Sequence, residues 1–252
     1  MANYNRISIT MSRSERWLGL LYFLFQLYPL PRLLNWINGI IGTPLSIAWL
    51  NFIYFCINFI CVFSIFHRFL GRSLSDLGKN LLGTVKDAFL GFCVYYVSSM
   101  ALAAAIVFLF PWFSNVNDQS VAAMLQLNYL PMVIGTVLLV PMAEELLHRG
   151  VIFQWLYCKN HTLGYTVSVL VFCAIHVMGY WDRFDYLTLF LCFIQYIPAG
   201  LCLAWAYTQS GNIFAPILMH AVINAMGVAV TRGFYAKDHP IRYPCCQSDC
   251  SR

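Results

Sequence analysis

Charge is what this chain has least of. Asp, Glu, Lys and Arg make up 10% of its 252 residues, where a soluble domain carries roughly 25%. Hydrophobic residues make up 60%, and the mean hydropathy is +0.68. These values exclude a water-soluble globular fold and point to an integral membrane protein whose first partner is the lipid bilayer. The net charge is +5, yet no Lys/Arg-rich stretch interleaves with aromatics, so nucleic acid is not an expected partner. No repeat, low-complexity tract or soluble domain interrupts the apolar runs. Without an inverted repeat or paired broken helices, a transporter lacks its usual signature. The zinc motif HExxH is absent. The opening MANYNRISITMSRSER has no small-residue cleavage site, which predicts an uncleaved first span acting as an anchor.

Long apolar runs are abundant. A membrane-crossing helix needs about 20 such residues, and runs at 17–37, 44–66, 88–110, 129–157, 163–179, 187–208 and 213–234 qualify. They predict an all-α polytopic bundle of about seven spans, within a range of six to eight. Pro29 and Pro31 interrupt the first run and predict a short or kinked helix. HRFLGRSLSDLGKNLLGTVKD, 67–87, reads as a basic linker, and Pro111 with SNVNDQS reads as a polar loop. The chain divides into N-terminal helices with a basic loop (1–128), a polar-residue-bearing core (129–234) and a cysteine-containing tail (235–252). With the N-terminus inside, the inner segments hold Arg6, Arg13, Arg16, Arg68, Arg72, Lys79, Lys86 and Lys159 against Arg32 and Arg183 outside. Positive charge collects on the cytoplasmic side, so the N-terminus is expected there. Seven spans put the tail outside, although Arg232, Lys237, Arg242 and Arg252 favour the cytoplasm. Most of the ten cysteines lie in apolar runs, where they act as small hydrophobes. Cys245, Cys246 and Cys250 form a tail cluster that matches no zinc spacing and cannot pair completely within itself, which leaves a thiol cluster or a lipidation site.

Three runs carry polar residues that need a reason. VLLVPMAEELLHRGVIFQWL, 137–156, places Glu144, Glu145, His148 and Arg149 mid-span. Each charge at such a depth costs about 2.5–3.5 kcal/mol. Glu145 and Arg149 share a helical face in the favourable order, as do Glu144 and His148. A neutralised ion pair that fixes helix packing explains Glu145 with Arg149 but leaves Glu144 without a role. His148 is expected to face lipid or to stand behind the reacting groups. The run 163–179 holds His176, and 213–234 holds His220 and Asn224 on one face. Hydrogen-bonding glue between helices is the plainer account of these, typically about 0.6 kcal/mol per bond in membranes.

Three motifs recur in order on three runs: EELLHRG (144–150) fits EExxxR, FCAIH (172–176) fits FxxxH, and HAVIN (220–224) fits HxxxN. The segment 130–230 thereby resembles the CPBP family of intramembrane proteases, the CAAX-processing and bacteriocin-processing (ABI-type) proteins. AGLCLAWAYTQSGNIFAPILMHAVINA is similar to the third block of that family. The chain departs from the prenyl-protein proteases in lacking their eighth helix, which opens the question of substrate class.

The resemblance implies an intramembrane endopeptidase with catalytic residues Glu144, Glu145, Arg149, His176, His220 and Asn224, gathered in a cavity open to the cytoplasmic side. Glu144 with His176 would activate water, Glu145 with Arg149 would hold and tune the site, and His220 with Asn224 would stabilise the oxyanion. The residues independently favour activated water over a covalent intermediate. Ser168 has no nucleophile–His–acid pattern around it, and no embedded cysteine has an evident base. No cofactor is expected. A zinc site drawn from the glutamates and histidines is the competing arrangement, disfavoured because His176 and His220 lie on different runs. A non-catalytic adaptor or bacteriocin self-immunity protein of the same family is the alternative from a different class. The expected substrate is a membrane-associated peptide or protein, either a prenylated CAAX-type or a bacteriocin/signal-peptide-type precursor. The expected location is the bacterial cytoplasmic membrane.

Overall fold

Capping side chains set where the apolar runs begin as helices. Ser12 accepts from the Glu15 N–H while the Glu15 carboxylate takes the Ser12 N–H, closing a capping box. Ser46, Asn115, Asn160 and Asp185 cap later helices by accepting a first-turn N–H on the side chain. The computed structural model describes residues 7–235, so the tail cysteines Cys245, Cys246 and Cys250 lie outside the described residues. Among the described residues there are nine helices and no strand. We label them α1 (Arg13–Leu27), α2 (Pro29–Ile40), α3 (Ile47–Lys79), α4 (Leu81–Leu109), α5 (Val116–Leu127), α6 (Tyr129–Tyr157), α7 (His161–Met178), α8 (Tyr186–Ser210) and α9 (Phe214–Tyr235).

Six of these, α3, α4, α6, α7, α8 and α9, are long and apolar enough to cross a membrane. The first run behaves differently. Pro29 has no N–H to continue a helix, so the run breaks at Tyr28 into helices of 15 and 12 residues. Ser12 lies at the Arg72 end of α3, and Ile47 begins its other end. The pair α1–α2 therefore runs the length of α3 as a broken traverse. The expected linker 67–87 is helical almost throughout. Phe69, Leu70 and Ser73 bury a bundle-facing stripe that extends α3, and only Asn80 separates it from α4. The expected loop SNVNDQS is partly the start of α5, because Asn115 accepts from the Asn117 and Asp118 N–H groups.

Successive traverses alternate in direction. One end of the bundle, the arm end, gathers the N-terminal arm, the α3–α4 turn, the α6–α7 turn and the α8–α9 turn. Gln154 ties it together: its side chain accepts from Met11 N–H at 2.9 Å and donates to Ile9 O at 2.9 Å and to the Tyr207 hydroxyl at 2.6 Å. Asn212 donates to Ser73 O and to Asp76. At the opposite end Asn115 donates to Gln195, and Asn117 to the Tyr196 hydroxyl. Gly211 takes φ 70° to turn α8 into α9, a left-handed conformation that glycine adopts without strain.

Candidate active site

The middle of α6 is not plain α-helix. Residues Gly135–Leu139 and Leu146–Phe153 are wound as π-helix, with Val140–Glu145 as α-helix between them. Such segments re-aim the side chains that follow them and are frequent at functional sites. Here they turn Glu145 and Arg149 fully inward, each with a 0% exposed side chain, and leave Glu144 at 26%.

Glu145 Oε1 accepts from Arg149 Nη1 at 3.1 Å and pairs with His220 Nδ1 at 2.8 Å. Arg149 also donates from Nη2 to Gly200 O at 3.2 Å and lies over the Phe172 ring, 4.4 Å from its centroid. The ion pair thus joins α6 to α7, α8 and α9. Gly200 lets α8 come close: a Cβ there would meet Val169 of α7. His220 faces both acids, since its Nε2 is 4.0 Å from Glu144 Oε2. That separation exceeds a direct hydrogen bond, and Glu144 Oε2 has no hydrogen-bond partner.

His176 is anchored through Nδ1 to Phe172 O at 2.7 Å and stacks on Tyr196, with ring centroids 4.1 Å apart. Glu144 is among the charged groups around it. Asn224 stands one turn beyond His220 and donates its amide to Thr136 O at 2.8 Å, in the first π segment. The structure therefore brings Glu144, Glu145, Arg149 and His220 into one cluster. His176 joins it across the Phe172 ring, and Asn224 is engaged with the α6 backbone.

His148 does not face lipid. It is 0% exposed, bonded through Nδ1 to Glu144 O at 2.8 Å, and edge-on to Phe23 and Phe172. The π winding turns it inward with its neighbours. Tyr196, Thr136 and Tyr54 join the site without a signal in the sequence, because each reaches it from a position remote along the chain or from a backbone atom. Tyr54 carries Glu144 among its charged neighbours. Phe172 is the exception, being the first position of the FCAIH motif. Among the described residues no group of three or more His, Cys, Asp or Glu side chains is arranged to hold a metal ion.

Residues 126–226 match the family model described as Rce1-like, type II CAAX prenyl endopeptidase Rce1-like. The chain is 33% identical over 97 residues to the uncharacterized protein YpbD of Bacillus subtilis (strain 168), covering 38% of this chain and 44% of that one. It is 26% identical over 90 residues to the UPF0177 protein YxdF of Lactococcus lactis subsp. lactis (strain IL1403), covering 36% and 44%. The match thus spans less than half the length of either relative. No solved structure matches significantly.

Proposed function

From the match of residues 126–226 to the Rce1-like family model, we propose that this integral membrane protein is a CPBP-type endopeptidase that cleaves a membrane-associated peptide or protein within the bilayer. The observation that carries the reading is the unequal state of two adjacent acids. Glu145 is buried, with Oε1 held by Arg149 and His220 and Oε2 left without a partner, whereas Glu144 is 26% exposed and neither of its carboxylate oxygens is held, His220 Nε2 standing 4.0 Å from Oε2. An uncommitted carboxylate beside two imidazoles is placed to take a proton from water.

In this mechanism His176 and Glu144 hold the water. Its oxygen bonds to the scissile carbonyl carbon as its proton passes to the Glu144 carboxylate. The developing oxyanion accepts hydrogen bonds from His220 and Asn224. When the C–N bond breaks, the proton moves from Glu144 to the leaving amine. Glu145 and Arg149 keep α6 and His220 in register, and no metal takes part. The substrate class follows the family description, a prenylated CAAX-type peptide, with a bacteriocin or signal-peptide precursor as the second candidate. The basic arm end is cytoplasmic, and the membrane is the bacterial cytoplasmic one.

The test is peptide cleavage in proteoliposomes. Glu144→Gln, which keeps size and a carbonyl but cannot accept the proton, is expected to abolish turnover while the protein inserts and elutes as one species. Near wild-type turnover by this variant sinks the activated-water mechanism. In a second arm, a strong zinc chelator should leave wild-type activity intact. Loss on chelation with recovery on stoichiometric zinc would make Glu144, His176 and His220 ligands instead.

A further inference from the structure

Where α1 meets the arm end of α6, the surface opens into a cavity of about 330 Å³ lined by Arg13, Arg16, Trp17, Leu20, Val151 and Trp155. The two tryptophans tilt towards each other with ring centroids 6.3 Å apart, and Lys159 Nζ sits 4.4 Å over the Trp155 ring. Arginine and aromatic side chains therefore wall one recess, with Lys159 against the Trp155 ring, and among the described residues no acidic side chain lines it. The acid nearest in sequence is turned away. Glu15 takes the N–H groups of Ser12 and Phe69 and pairs with Arg72 of α3 at 3.5 Å. Arg16 donates one Nη2 hydrogen to Met11 O at 3.1 Å, which steadies its guanidinium beside the recess.

Below the recess α1 turns an apolar stripe outward. Trp17, Leu21 and Leu24 lie at helical spacing and are 60%, 64% and 58% exposed. Such a stripe meets acyl chains in a bilayer, while tryptophan at its upper end sits at headgroup depth. The arginine fork matches phosphate oxygens, and basic residues at this level attract anionic lipid.

The geometry points to a headgroup site for an anionic phospholipid, with the phosphate between Arg13 and Arg16 beside Lys159 and an acyl chain along Trp17, Leu21 and Leu24. The shared chemistry is a phosphate group. Free phosphate would use the arginines alone, whereas a lipid also uses the stripe.

The experiment is native mass spectrometry of the full chain released from detergent containing equal phosphatidylglycerol and phosphatidylcholine. Wild type is expected to retain phosphatidylglycerol preferentially. Each of Arg13→Gln and Arg16→Gln should lower that preference by about fivefold. Leu21→Ser with Leu24→Ser should lower lipid retention with both arginines present. Millimolar inorganic phosphate should leave the bound lipid in place. Equal retention of the two lipids, or an unchanged preference in the arginine double variant, overturns the site. Displacement by inorganic phosphate makes it a simple anion site and overturns the lipid assignment. If the double variant does not elute as a single species, Arg16→Lys gives the same readout, because lysine keeps the charge and loses the fork. An unchanged preference there overturns the bidentate contact.

Discussion

Glu144 and Glu145 differ by one position and have opposite circumstances, and the difference lies in their partners. Glu145 without Arg149 would be a buried carboxylate facing only an imidazole, and Arg149 without Glu145 a buried cation held by one carbonyl. Breaking such a pair from one side costs about 3–5 kcal/mol, while replacing both partners by neutral groups of similar size is often tolerated. Arg149→Met alone is thus expected to lower thermal stability in detergent strongly. Glu145→Gln combined with Arg149→Met should recover most of that loss and still fail to cleave, because His220 loses the carboxylate that orients it. A double variant as unstable as the single one would show that the pair holds the fold by some route other than charge.

At the scale of the element, Pro141 stands just past the first π segment of α6. Val140 N–H bonds back to Gly135 O, five residues earlier, so the next N–H in that register would belong to residue 141 and reach Thr136 O. Proline has none. The Asn224 amide from α9 supplies the missing donor at 2.8 Å. Asn224 therefore has a structural task as well as the oxyanion role proposed for its amide, and Asn224→Ala separates the two. The lost interhelical bond should cost about 0.6 kcal/mol of stability. Loss of an oxyanion donor should lower kcat by roughly 10²–10³-fold with KM nearly unchanged. Both measurements belong on one preparation. A normal kcat per folded molecule would reduce Asn224 to helix glue.

For the whole molecule, alternation of the traverses puts the α3–α4 turn and the α6–α7 turn at one end and the α7–α8 connection at the other. Asn80 and Cys158 mark the first end, and Asp182 the second. With the basic arm end in the cytoplasm, native Cys158 should react with a membrane-impermeant thiol reagent only from inside. Against a background in which Cys158, Cys245, Cys246 and Cys250 are all replaced by Ser, Asn80→Cys should label from inside and Asp182→Cys from outside. Labelling of positions 80 and 182 from the same face would break the alternation. Labelling of all three from the reversed faces would invert the orientation while leaving the bundle as described.

The sequence by itself determined the solvent, the helical class and which polar residues sit at membrane depth, because charges there are costly enough to stand out in a chain so poor in them. Run 129–157 coincides with α6, and the motif residues on three runs are the ones that α6, α7 and α9 carry towards one another. The tertiary structure decided what each does to its neighbour. Equal spacing suggested that Glu144 with His148 and Glu145 with Arg149 were comparable pairs. Only the π winding and the packing of α9 gave His220 to Glu145, left Glu144 partly open and enclosed His148 between Phe23 and Phe172. The basic stretch 67–87 read as a linker because its charges mask the buried stripe Phe69, Leu70 and Ser73, which needs Glu15 of α1 and Asn212 of the α8–α9 turn against it to show. Periodicity and depth are local properties, written along the chain. Which carboxylate is buried and paired and which stays partly exposed depends on contacts between residues as far apart as 145 and 220, and these exist only once the helices have packed.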